Sequence, residues 1–189
     1  MTTYTVAPGE YRVSDQSSVI LKTLLGSCVA VCLYDERVHV FGMNHFLLAL
    51  DKYHQQSSVS GRYGIHAMEL LINAMLKRGA EKKRMKAKVF GGANVLNQIG
   101  QQHFNIGQAN VEFAFDFLQQ EAIPVSSHDV GGENGRTILF DGSDLGVYVR
   151  LIDGRQQAQL LVEDESQWLS RQQQQQQRQP AGTVVFWDD

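Results

Sequence analysis

Cysteine is scarce in this chain, with two in 189 residues, and proline is scarcer for its length, with three. Two cysteines exclude a disulfide-stapled scaffold of the secreted kind. Cys28 and Cys32 sit in a run that reads as a strand, where four steps of about 3.3 Å hold them roughly 13 Å apart. A bridge needs Cα atoms closer than about 7 Å, so both are expected to be free thiols. Basic charge is not in excess either, with 17 Lys and Arg against 20 Asp and Glu and a net charge of -3. A nucleic-acid or membrane-surface protein draws its affinity from a concentrated basic face, and neither class fits this balance. No segment approaches the roughly 20 apolar residues of a membrane span. The opening Met1-Thr2-Thr3-Tyr4 shows no basic stretch running into an apolar one. The default expectation is a cytoplasmic protein without membrane insertion whose partners are proteins or small molecules.

What is present is the composition of an ordinary globular domain, with 43% hydrophobic and 20% charged residues. Chains near this length bury roughly two-thirds of their unfolded surface. Residues 1–154 alternate apolar segments with Gly, Asn and Asp punctuation, whereas 155–189 carry Gln156-Gln157, an unbroken run from Gln172 to Gln177, Gln179 and Pro180. So polar a composition cannot bury a core, and 155–189 read as a flexible tail. Its apolar-acidic end, Val184 to Asp189, suits either docking into a groove or a strand that closes on the domain.

Aliphatic runs at Val19–Leu25, Cys28–Tyr34 and Val38–Leu48 predict strands joined by a hairpin. Ala67, Leu70, Leu71, Ala74 and Met75 recur at three and four, with Lys77, Arg78 and Gly79 following, as an amphipathic helix with its stop signals does. Val111, Ala114, Phe115 and Leu118 mark a second helix. Further strands are expected at Ala87–Phe90, Val125–His128, Thr137–Phe140 and Gly146–Leu151. Strands outnumber helices, which predicts an α+β fold with helices packed on a mainly antiparallel sheet system.

One constellation carries chemistry. With a two- or four-residue loop centred between Glu36 and Arg37, Cys28 faces His45, Ala30 faces Met43, Cys32 faces Phe41 and Tyr34 faces His39. Directly opposed residues have Cβ atoms about 4.5–5.5 Å apart, close enough for a thiol and an imidazole to meet. A three-residue loop makes the pair diagonal. An imidazole beside a thiol raises its thiolate fraction and can later protonate a leaving group. Gly26-Ser27 permits an unusual backbone path before Cys28, so nearby N–H groups are candidates to receive an oxyanion. Cys28 is the candidate nucleophile, and Cys32, deeper in the apolar strand, reads as a small buried hydrophobe. Packing alone is nonetheless the commoner reason for a Cys and a His to share a hairpin. The cysteines and scattered histidines lack the spacing of a zinc site, so no metal is expected. Neither Phe90-Gly91-Gly92-Ala93-Asn94 nor the 129–136 segment, Asp129 to Arg136, fits a phosphate-loop spacing. Both read as turns or as close backbone approaches, with Arg136 either bracing its loop or binding a carboxylate.

Taken in order, Leu25-Gly26-Ser27-Cys28-Val29-Ala30-Val31-Cys32, Asn44-His45, Ala87-Lys88-Val89-Phe90-Gly91-Gly92-Ala93, Asn105-Ile106-Gly107 with Asn110, and Asp129 with Gly131-Gly132 and Gly135-Arg136 closely resemble the CheD family of chemotaxis proteins. The resemblance covers roughly Tyr4 to Asp153. It implies a protein-glutamine deamidase that converts chemoreceptor Gln to Glu, with possible receptor methylesterase activity, in a three-layer α/β/β fold similar to the cytotoxic necrotizing factor catalytic domain. By the same match Cys28 is the nucleophile and His45 its base, with no cofactor. The expected partners are methyl-accepting chemoreceptor helices and a CheC-type phosphatase, at chemoreceptor arrays. Family members are similar in using a threonine before the Cys to orient the His. An ungapped match places Lys22 there, with Thr23 one step on. On a regular strand Lys22 shares the Cys28 face, and an irregularity at Gly26 restores Thr23. The alternatives to catalysis are a binding module of the same fold that regulates a CheC-type phosphatase or the receptor array, and a thiol redox module, which the missing Cys-x-x-Cys disfavours. No self-complementary apolar face is visible, and a monomer is expected.

Overall fold

The computed structural model describes residues 1–48, 58–94 and 106–152, together with Leu161, Glu163, 166–168, Ser170, Arg171 and Gln174. Nine strands are described: β1 (Thr2–Thr5), β2 (Tyr11–Ser14), β3 (Val19–Leu25), β4 (Val29–Asp35), β5 (Val40–Asn44), β6 (Lys86–Gly91), β7 (Val125–Val130), β8 (Arg136–Asp141) and β9 (Val147–Leu151). Helix α1 (Ser58–Lys77) falls between β5 and β6, and α2 (Ile106–Gln120) between β6 and β7.

The strands form a five-stranded sheet in the order β2-β5-β4-β6-β7 and a four-stranded sheet in the order β1-β3-β8-β9. Both helices pack on the five-stranded sheet, α1 against β5 and β2 and α2 against β4, β6 and β7. The molecule is therefore three layers, α/β/β, with two cores. One lies between the helices and the larger sheet and includes Val29, Val31, Leu33, Met68, Leu71 and Met75. The other lies between the sheets and includes Cys28, Ala30, Cys32, Phe41, Met43 and Phe140. Alternation along β4 explains the division, since odd residues face the helices and even ones the second sheet. All seven residues of β4 are buried, as a central strand covered on both faces demands.

Helix α1 turns Met68, Leu71, Ile72 and Met75 inward at three- and four-residue spacing. It ends at Gly79, whose φ of +91° is costly for other residues. There Ala80 N–H donates to Met75 C=O at 3.2 Å and Gly79 N–H to Leu76 C=O at 2.9 Å.

Three departures from the sequence pattern follow from the fold. The strands β3 and β4 are not neighbours in one sheet; the chain leaves one sheet and enters the other across Gly26-Ser27. The β4–β5 register pairs Cys32 with Met43 and Tyr34 with Phe41, with a bridge from Val29 to Phe46, a slide of two residues from direct Cys28–His45 opposition. The loop is Glu36–His39, with His39 in the left-handed region at φ +53°. A slide of two leaves every side chain on its face, so Cys28 and His45 remain together but diagonal. Finally, β1 and β2 carry no aliphatic run and escape a periodicity search.

The segment read as a flexible tail contains helical residues, and Leu161 and Trp168 are only 3% and 9% exposed. Leu161 seats on the bare backbone of Gly135, where an added Cβ would stand 2.4 Å from its Cδ1. The 184–189 end of the chain and Ala49-Leu50 lie outside the described residues.

Candidate active site

Cys28 stands where the chain enters β4, and His45 follows the end of β5. The two termini are tied together by backbone. Val29 N–H donates to Phe46 C=O at 3.0 Å and Phe46 N–H returns the bond to Val29 C=O at 2.9 Å. On this register Cys28 and His45 are diagonal neighbours, a separation of roughly 7–8 Å that an imidazole can span. Both are sequestered, Cys28 at 1% and His45 at 3% exposure.

Thr23, not Lys22, reaches the histidine. Lys22 is exposed, while Thr23 is buried and its Oγ1 lies 2.8 Å from His45 Nδ1 and 2.7 Å from the Val6 carbonyl oxygen. The crossover at Gly26-Ser27 resolves the parity problem. Because β3 lies in the opposite sheet, its inward face meets the inward face of β4 and β5 across the core. The hydrogen-bond pattern also sets the tautomer. A carbonyl only accepts, so the Thr23 hydroxyl donates to Val6 and must accept from His45 Nδ1–H. A second, longer contact of 3.4 Å runs from Nδ1 to the same Val6 oxygen. With the proton on Nδ1, the Nε2 lone pair is bare, and Nε2 is buried without a hydrogen-bond partner. Burial lowers the His45 pKa to about 4, despite the opposing Val6 bond, so the ring is neutral at ordinary pH. A neutral imidazole with an unoccupied Nε2 is what a general base requires.

The glycine-rich segments serve this corner as backbone. Gly92 N–H donates to Cys28 C=O at 2.7 Å and Ala93 N–H to Gly26 C=O at 2.8 Å. A Cβ on Gly91 would come 2.2 Å from the Cys28 carbonyl oxygen, and one on Gly92 2.3 Å from Val111 Cγ2. Asn110, fully buried on α2, donates to Ser27 C=O at 2.9 Å and accepts from Leu48 N–H at 2.8 Å. It thereby clamps the residue before the thiol to the segment after the histidine. Arg136 braces its loop, donating to the carbonyls of Asp129 and Gly131 and pairing with the Asp129 carboxylate at 3.1 Å.

Cys32 lies in the inter-sheet core, and burial pushes its thiol well above the ordinary range, with Lys88 opposing weakly. Among the described residues no three His, Cys, Asp or Glu side chains gather as a metal ion requires.

A family model described as CheD chemotactic sensory transduction matches residues 47–151. A Shewanella oneidensis relative named "Probable chemoreceptor glutamine deamidase CheD 2" is 47% identical over 194 aligned positions, spanning 100% of this chain and 96% of its own. The chain belongs to the CheD family. A second CheD, from Geobacter sulfurreducens, carries the name "Probable chemoreceptor glutamine deamidase CheD 1" and is 44% identical over 86% of this chain and 84% of its own. Among solved structures, the Bacillus licheniformis hypothetical protein YfiH aligns with a TM-score of 0.41 at 14% identity, over 63% of this chain and 49% of its own. The CheD model begins after His45, so the Thr23–Cys28–His45 corner lies outside the matched span, while the Shewanella alignment includes it.

Two residues near this corner escaped sequence reasoning. Tyr63 of α1 packs against the cluster that contains Cys28, and Trp168 packs on Tyr63 with ring centroids 5.4 Å apart. An aromatic on a helix face signals packing in any sequence, and nothing in the Gln-rich composition singles out Trp168.

Proposed function

We propose that this CheD protein is a protein-glutamine deamidase acting on methyl-accepting chemoreceptors, with Cys28 as nucleophile, His45 as base and Thr23 as the residue that orients His45. The observation that carries the reading is the buried Thr23–His45 bond of 2.8 Å, which fixes the proton on Nδ1 and leaves Nε2 bare. The names of the CheD relatives support the substrate class. In the reaction, His45 Nε2 takes the Cys28 proton as the sulfur attacks the glutamine carboxamide carbon. The tetrahedral intermediate collapses with loss of ammonia, protonated by His45, and water hydrolyses the thioester to glutamate. A receptor glutamyl methyl ester would follow the same steps with methanol as leaving group, which makes methylesterase activity part of the proposal.

The protein is proposed to work in the cytoplasm at receptor arrays, as a monomer in which residues 1–154 hold the catalytic machinery and 155–189 add the segment bearing Leu161 and Trp168. A CheC-type phosphatase is the further proposed partner. The decisive experiment incubates a receptor cytoplasmic fragment with wild-type protein, Cys28→Ala and His45→Ala, and reads Gln-to-Glu conversion by peptide mass spectrometry with ammonia release alongside. Conversion by the wild type alone is expected. Conversion by Cys28→Ala at the wild-type rate would overturn the assignment.

A further inference from the structure

Three buried side-chain polar atoms among the described residues lack a hydrogen-bond partner: His45 Nε2, Tyr63 Oη and Arg136 Nε. The guanidinium of Arg136 is already committed to Asp129 and Gly131, so its remaining nitrogen is incidental to a brace. The other two belong to one corner of the molecule. Tyr63 on α1 packs against both cores, including the inter-sheet cluster that contains Cys28. Its hydroxyl lies 3.3 Å from the point where a Cβ on Gly9 would stand, and Gly9 N–H donates to His45 C=O at 2.8 Å. Trp168 closes the same space, with its Nε1 3.1 Å from that point and its ring 5.4 Å from the Tyr63 ring. The hydroxyl is thus held beside the histidine's own backbone in a slot that exists because residue 9 has no side chain.

A buried hydroxyl with no partner among the described residues keeps its donor capacity for another group. Such a group is explained when a substrate atom completes it. A glutamine carboxamide offers an oxygen that accepts and a nitrogen that must leave as ammonia. His45 Nε2 serves the nitrogen. We propose that Tyr63 is a catalytic residue of the deamidation, its hydroxyl donating to the carboxamide oxygen and to the oxyanion that this oxygen becomes.

This inference rests on the deamidase reading and specifies how its charge is met. As the C–S bond forms, the carbonyl π pair moves onto oxygen, which accepts the Tyr63 hydrogen bond. As C–O is restored, the C–N bond breaks and the nitrogen takes the proton held by His45. The phenol keeps its own proton throughout. Burial pushes the Tyr63 ionisation up to about 12, a Cys28 thiolate acting in the same direction once formed, so the phenol remains a donor at any working pH.

The test is Tyr63→Phe, which keeps the ring and its contact with Trp168 and removes an unbonded hydroxyl, so the fold is expected to persist. Deamidation kinetics on a receptor fragment are measured for wild type and variant, together with the pH profile of Cys28 alkylation by iodoacetamide in a Cys32→Ala background. A fall in kcat of about 10²-fold is expected for loss of one oxyanion donor, with KM within a factor of about two. The alkylation profile is expected to be unchanged. An unchanged kcat would overturn the inference. So would a loss of rate fully accounted for by an upward shift of the Cys28 profile, since Tyr63 would then serve the thiolate and not the oxyanion. A wild-type protein that converts no glutamine sinks the deamidase reading itself, an outcome distinct from an active enzyme indifferent to Tyr63.

Discussion

Thr23 has one hydrogen to give and spends it on a backbone carbonyl, which obliges the histidine to donate in turn. Replacing it with valine keeps the shape and removes the acceptor, leaving Nδ1–H only its longer 3.4 Å contact with Val6. Thr23→Val is expected to lower kcat on the order of 10²-fold, the scale of a mispositioned general base, while Thr23→Ser recovers most of it. A pH–rate profile of the two variants separates lost orientation from a lost fold, because the serine restores the acceptor. Cys32 is the contrasting residue. Cys32→Ala removes only an inert, buried sulfur, so activity should stay within about twofold of wild type while urea unfolding reports a loss of about 1 kcal/mol.

At the scale of elements, the Thr23–Cys28–His45 corner depends on strand ends brought together by glycine. At φ +107°, with a Cβ that would stand 2.2 Å from the Cys28 carbonyl oxygen, Gly91 is where β6 passes against the proposed nucleophile. Gly91→Ala is expected to destabilise by about 2–4 kcal/mol, read by chemical denaturation, and to lose more activity than stability predicts, since the displaced backbone carries Cys28. Much of this architecture was legible in advance. The aliphatic run of β3 and the helical spacing of Leu71 and Met75 report burial directly, and the Cys28–His45 pairing follows from strand parity alone. The loop centre was not legible, because Glu36-Arg37-Val38-His39 contains no Gly or Asn to mark which residue turns left-handed, and His39 takes that role. Thr23 could not be separated from Lys22 on one strand either, since the answer lies in a change of sheet at Gly26-Ser27. A run of glutamines hid Trp168 in the same way, because composition averages over the single residue that packs.

For the whole molecule, two buried ionisable groups make acid the weak side. His45 ionises at about 4 when folded and near 6.5 when unfolded, so the unfolded chain binds more protons between those values. Stability is then complete above about 6.5 and falls by on the order of 3 kcal/mol as pH drops to about 4. Asp35 at the β4 terminus acts at lower pH. Burial works against its charge, but Arg84 at 2.8 Å and the N–H groups of Glu81 and Arg37 prevail and hold its pKa below the ordinary value. Its contribution is present above the unfolded carboxylate pKa and is lost as pH falls through the lowered one. Urea midpoints between pH 4 and 7 should therefore decline more steeply for wild type than for His45→Gln, and the two curves should run parallel above pH 7.

The chain has two tryptophans, and one of them, Trp168, is buried against the Tyr63 ring at the proposed catalytic corner. In a Trp187→Phe background its indole becomes the sole strong emitter, set against an aromatic ring at 9% exposure and sensitive to water. The molecule in effect carries its own optical gauge of the proposed reaction centre. A receptor helix that lifts the 161–171 segment would redden and dim that emission, one that docks without disturbing it would leave the spectrum still, and a stopped-flow trace would time the event against the release of ammonia.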